Sequence, residues 1–158
     1  SKDALLEAIV RRAIAPIAAM TFEQLASFEG DPRVVLKIII TRLIAAMHDP
    51  KRIAIPKLIL REALQAPRIA EMYKRQVLGQ AIPAVTALLQ RGMDQGYLRQ
   101  LDAELTVRSI VGPIALHLML AEVFAIVPKD GLALDRLVEN HLAILFDGLS
   151  AKPEAGNE

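Results

Sequence analysis

Residues 88–118 read LLQRGMDQGYLRQLDAELTVRSIVGPIALHL, and their punctuation decides the fold class. A long segment with apolar residues at helical spacing runs into Gly96, a residue suited to the left-handed conformation that ends a helix. Six residues on, Asp102 offers the short acceptor side chain that opens the next helix. Working outward, every long segment repeats with a period near 3.6, and no run alternates as a strand between hairpin turns. The fold class is therefore all-α.

Further breaks fall at Gly30-Asp31-Pro32, His48-Asp49-Pro50, Ala66-Pro67 and residues 128–131. They leave about six helices. The first spans 2–28 and is expected to kink at Pro16, because a mid-helix proline removes a hydrogen bond and crowds the preceding turn. The second spans 32–47, with Pro32 at its opening, and the third 51–64. The fourth, 67–95, is expected to bend between Gly79 and Pro83. The fifth runs from Asp102 to about 126 and the last over 132–148. One domain, 1–149, is expected, followed by a polar, disordered tail over 150–158.

Composition adds a demand for cover. Hydrophobic residues make up 53% of the 158 without glycine, against about 45–50% with glycine in ordinary globular chains. An oligomeric interface, a cavity or a membrane must hide the excess. The run 109–128 has the length of a bilayer span and carries only Glu122 as a formal charge. It is interrupted by Gly112-Pro113, contains His117 and lacks a basic anchor cluster, so a buried helix with no membrane partner is the reading adopted.

Net charge is +1 with no basic stripe, which gives this chain no nucleic-acid patch of its own. The absence of cysteine excludes disulfides and thiolate metal sites and fits a cytoplasmic protein. His48, His117 and His141 are not paired at helical spacing, so no metal site is expected. There is no phosphate loop, no H-E-x-x-H and no G-x-S-x-G, and the only serines are Ser1, Ser27, Ser109 and Ser150. Neither an enzyme nor a cofactor is expected.

Several residues are candidates for binding. On the fifth helix Glu104, Arg108 and Glu122 share one side, opposite Ile110, His117 and Phe124. His117 is thus expected to be buried, either as a core histidine bonded to a neighbour or as a ligand contact. Arg42 lies on the row of Val35, Ile39 and Ala46, and Glu62 on that of Ile55, Ile59 and Ala66. Such charges on apolar rows would pair with each other, snorkel at an edge or meet a polar ligand group. Met20, Phe28, Met47, Ile59, Tyr73, Val77 and Ile110 are the remaining candidates for an adaptable apolar lining, which an ordinary core would also resemble, with Gln80 on the same polar boundary as the Tyr73 hydroxyl.

The opening SKDALLEAIVRR starts abruptly on a cap-like Ser1, with Asp3 in the first turn. It resembles the S-K-x-x-L junction of TetR-type regulators, where the DNA-binding helix-turn-helix ends and the regulatory domain begins. DPRVVLKIIITRLIAAMHDPKR and LREALQAPRIAEMYKR resemble that family's middle helices and the passage into its long seventh helix. The R-G-x-x-x-G-x-L-R and D-x-E-L elements in the opening stretch are similar to its following turn. The resemblance covers almost the whole chain, but the recognition helices are missing from it.

The resemblance implies that Lys2 touches a DNA phosphate and that the last two helices form a four-helix interface across a twofold axis. Residues expected there are Leu116, Leu120, Val123, Leu134, Leu137, Val138, His141 and Leu145. It also implies a homodimeric, ligand-responsive regulator, a repressor in the working reading, that binds a small hydrophobic effector and meets operator DNA only through the missing head. A helical assembly module or a carrier of apolar ligands is the alternative.

Overall fold

The computed structural model describes residues 2–9, 11–12, 15–63, 65 and 67–151. Among them are eight α-helices and no strand: α1 (Lys2–Ile9), α2 (Ala15–Ser27), α3 (Pro32–Ala46), α4 (Pro50–Ala63), α5 (Pro67–Tyr73), α6 (Gly79–Asp94), α7 (Ala103–Phe124) and α8 (Leu134–Leu149). A π-helical segment, Lys74–Leu78, joins α5 to α6.

The stretch between α6 and α7 is the hub of the packing. Gly96 takes φ +78°, its N–H bonds Met93 O at 3.1 Å, and Tyr97 N–H bonds Gly92 O at 2.9 Å. This double closure satisfies carbonyls that the end of α6 leaves free. Leu98 then enters the core, and Asp102 caps α7 by accepting from Leu105 N at 2.9 Å. Gly92 is required by proximity: a Cβ there would lie 2.3 Å from Pro32 Cγ, at the start of α3. Arg91 reaches back to Leu25 O at 2.9 Å, near the end of α2.

The start of α3 is tied as firmly. Asp31 caps it by accepting from Arg33 N at 3.0 Å, while the Arg33 guanidinium binds both carboxylate oxygens and donates to Ser150 Oγ at 2.9 Å. That guanidinium holds the Asp31 carboxyl below the usual carboxylate range. Arg99 N–H donates to Leu149 O at 3.1 Å beside an isolated antiparallel bridge between Leu98 and Ser150.

Two apolar clusters result among the described residues. The larger joins Leu25 of α2, Leu36, Ile40 and Ile44 of α3, Leu88, Leu89 and Met93 of α6, the inner row of α7, and Leu134, Leu145 and Leu149 of α8. The smaller contains Ile59, Ile69, Met72 and Val77, with Leu58 and Tyr73 against it.

The helix ends differ in instructive ways. Of the expected single helix over 2–28, α1, α2 and the π-helical residues 11–12 between them are described, while residues 13–14, on which the kink expected at Pro16 falls, lie outside the described residues. The irregularity expected at Gly79–Pro83 lies at Lys74–Leu78. Pro83 cannot donate to the carbonyl of Gly79 and crowds that turn, and the widened turn immediately ahead accommodates it. Helix α7 stops at Phe124 because Ala125 turns left-handed (φ +53°), and α8 starts at Leu134 behind a left-handed Ala133. On α3 the buried row is Leu36, Ile40, Ile44 and Met47; the row of Arg42 is turned one position toward solvent.

Candidate functional site

Helices α7 and α8 carry the most distinctive surface. Pro113 lies inside α7 and leaves the carbonyl four residues earlier without its usual donor. One residue along that opened turn, Ile110 O meets His141 Nε2 of α8 at 2.8 Å, so the two helices are joined by a buried hydrogen bond. Further along, His117 Nε2 lies 2.6 Å from Leu132 O and fixes the end of the connecting loop. Between the helices runs an open cleft of about 580 Å³, lined by Leu105, Ser109, Pro113, Ile144, Leu145 and Gly148 among others.

This face is apolar and uncovered. Ile144 is 66% exposed, Leu105 58% and Leu116 50%, and Val123 and Phe124 are similarly open. Only 22% of the most apolar 18-residue window of α7 is buried. A Cβ at Gly112 or Gly148 would meet nothing, so a neighbouring helix has room to approach there. By length and composition α7 also qualifies as a membrane span, but its inner row (Val107, Ile110, Ile114, Leu118) belongs to the main core.

Of the expected interface residues, Leu116 and Val123 stand on this open face, and Leu120, Leu137 and Val138 are half-buried. Leu134, His141 and Leu145 are buried within the chain's own core. Leu105, outside the expected set, and Ile144, on the apolar arc expected of the last helix, stand open on the same face. Their signal was the row Leu105, Ser109, Gly112, Leu116 at steps of four, three and four, facing Leu137, His141, Ile144 and Gly148.

The expected ligand residues divide between the two clusters. Met47 and Ile110 are in the main core, with Phe28 packed on its edge. Ile59 and Val77 are in the smaller one, with Tyr73 against it, and burial pushes the Tyr73 phenol up from its ordinary value. Glu62 is half-buried; Arg42 and Gln80 are exposed, and Arg42 makes no ion pair among the described residues. His117 is half-buried rather than enclosed. The side chains of Lys2 and Met20 lie outside the described residues. Among the described residues, no cluster of three or more His, Asp or Glu could hold a metal ion.

One ion pair corrects the helical-wheel reading. Glu122, placed on the solvent side, is turned to α4, with Lys57 Nζ at 2.6 Å and Arg61 at 3.7 Å. Phe124, placed on the inner side, is exposed.

The family model described as the tetracyclin repressor-like C-terminal domain matches residues 28–139. The chain belongs to that family. The match runs from Phe28 across α3 to α7 and into α8, and so includes the hub and most of the uncovered face. An all-helical fold and a ligand-sensing regulatory domain are what TetR-type membership carries. No curated protein matches the chain.

Proposed function

We propose that this TetR-type domain is the effector-sensing and homodimerising part of a transcriptional repressor. The observation that carries the reading is the bare apolar face of α7 and α8 in a family whose regulatory domains pair. A second copy turned about a twofold axis would set Leu105, Leu116 and Ile144 against their equivalents, with Gly112 and Gly148 allowing close approach. A stable pairing of this kind buries about 1,200–2,000 Å².

The effector in this reading is a small, largely hydrophobic molecule held beside the smaller cluster, near Ile59, Tyr73 and Val77. Helix α4 packs against both α5 and α7, and the Lys57–Glu122 pair spans the second contact. Displacing α5 would therefore be felt at α7 and across the dimer. A coupling of about 1–3 kcal/mol suffices for regulation. The repressor reading places the action on operator DNA in a helix-turn-helix head joined at Ser1, and its site of action in the cytoplasm.

Sedimentation tests the pairing. The chain is expected to be dimeric at micromolar concentration, and Ile144→Asp combined with Leu116→Asp to yield a folded monomer. A stable monomer of the unaltered chain removes the reading, as does a gene without helix-turn-helix coding sequence ahead of Ser1.

A further inference from the structure

The second cleft of interest lies between α1 and α5 and continues along the π-helical segment, with a volume of about 420 Å³. That is within the range of small-molecule sites. Its floor is apolar, formed by Ile69 and Met72, which are only 2% and 6% exposed and belong to the smaller cluster. Its rim is charged.

The charges do not cancel. Glu7 of α1 pairs with Arg11 on the next turn. Glu71 pairs outward with Lys74 at 3.1 Å, and Lys74 does not line the cleft. Arg68 and Arg75 line it too, seven positions apart and so on one face of the helical run, and neither has a carboxylate partner among the described residues. Gln76 adds an amide beside them. Two unpaired guanidinium groups above a buried apolar floor have the chemistry for an oxyanion head with a hydrocarbon body. A guanidinium presents a planar pair of donors to such a head, and the floor shields the body from water.

We infer that the cleft between α1 and α5 binds an anionic amphiphile, its carboxylate or phosphate held by Arg68 and Arg75 and its apolar part on Ile69 and Met72. This deepens the effector reading, and rests on it for any regulatory meaning, by giving the hydrophobic effector an acidic end. The binding claim can be tested apart from repression and dimerisation.

The probes are decanoate, decyl phosphate and decanol, each below its micelle or solubility limit, titrated calorimetrically into the 158-residue chain. At least one of the two anions is expected to bind about tenfold or more tightly than decanol, with affinity falling as salt is added. Which anion prevails identifies the head group. Arg68→Gln with Arg75→Gln should abolish the preference over decanol. Both positions are exposed, so the melting temperature without ligand and the dimer on sedimentation should be unchanged. Glu7→Gln frees Arg11 and should tighten anion binding severalfold. Equal affinity for decanol and the anions, binding of none of the three, or an anion preference that survives the double substitution would each overturn the site. A failed pairing with intact anion binding would count against the dimer reading alone.

Discussion

The two apolar clusters are built on opposite terms. Around the hub, each junction is closed more than once: Gly92 against Pro32, Gly96 and Tyr97 on the end of α6, Asp102 on α7, Asp31 and Arg33 on α3 and Ser150. Around Ile69 and Met72, the four buried residues among those described are bordered by a π-helical turn and a charged cleft. The difference teaches where the molecule is fixed and where it can yield. Regions with few buried contacts open at lower free energy than the core.

Leu89→Ala should have the largest effect. The side chain is fully enclosed at the centre of the main cluster, and its loss should cost about 4 kcal/mol in urea unfolding at fixed protein concentration. Gly92→Ala comes next, at about 3 kcal/mol, because a proline ring at the head of α3 cannot move aside as a flexible side chain would. Met72→Ala should cost only about 2 kcal/mol, the low end for its type, since its side chain borders an open cleft whose walls can close around the gap. Hydrogen exchange should then show faster opening confined to α5 and the π-helical segment. Equal losses for Leu89→Ala and Met72→Ala would erase the contrast between the clusters.

Asp31→Ala should remove about 1 kcal/mol of capping energy. Because Arg33 depresses the carboxyl in the folded state, this contribution is complete above the ordinary carboxylate value of about 4 and is lost as pH falls through the lower folded value. Acid unfolding of the variant should accordingly show a shallower slope. Tyr73→Phe should have the smallest effect, under about 0.5 kcal/mol at neutral pH, since the hydroxyl has no hydrogen-bond partner among the described residues. Above about pH 10 the unfolded chain ionises Tyr73 while burial holds the folded phenol neutral, so stability should fall with rising pH. The phenylalanine variant should lose that part of the alkaline slope.

The parts of this fold legible in the sequence are those set by local conformation. Gly96, Asp102, Asp31 and Pro32 act within one turn of themselves, so their residue types announced the ends of α6, α7 and α3. Prolines inside helices were harder to read. The effect of Pro83 is absorbed by the preceding turn, five residues before the bend that its position suggests.

The division of α7 and α8 between core and open surface was not legible either, because both helices are apolar around most of their circumference. Leu134 and Leu145 serve the chain's own interior, while Leu105 and Ile144 stand free, and nothing in their types separates the pairs. On α3 the rows of Ile39 and Ile40 are equally greasy, and only the neighbouring helices choose between them. The cleft between α1 and α5 is assembled from residues some sixty positions apart, beyond the reach of any local spacing rule.

The π-helical turn at Lys74–Leu78 has an evolutionary consequence. Its bonds span five residues instead of four, so removing a single codon from it would restore an ordinary helix and rotate α5 by about 100° relative to α6. Insertions and deletions at this point would present a different set of side chains to the cleft while leaving Gly92 and Gly96 undisturbed. A lineage could in that way acquire a new chemical sense in one step and keep its scaffold.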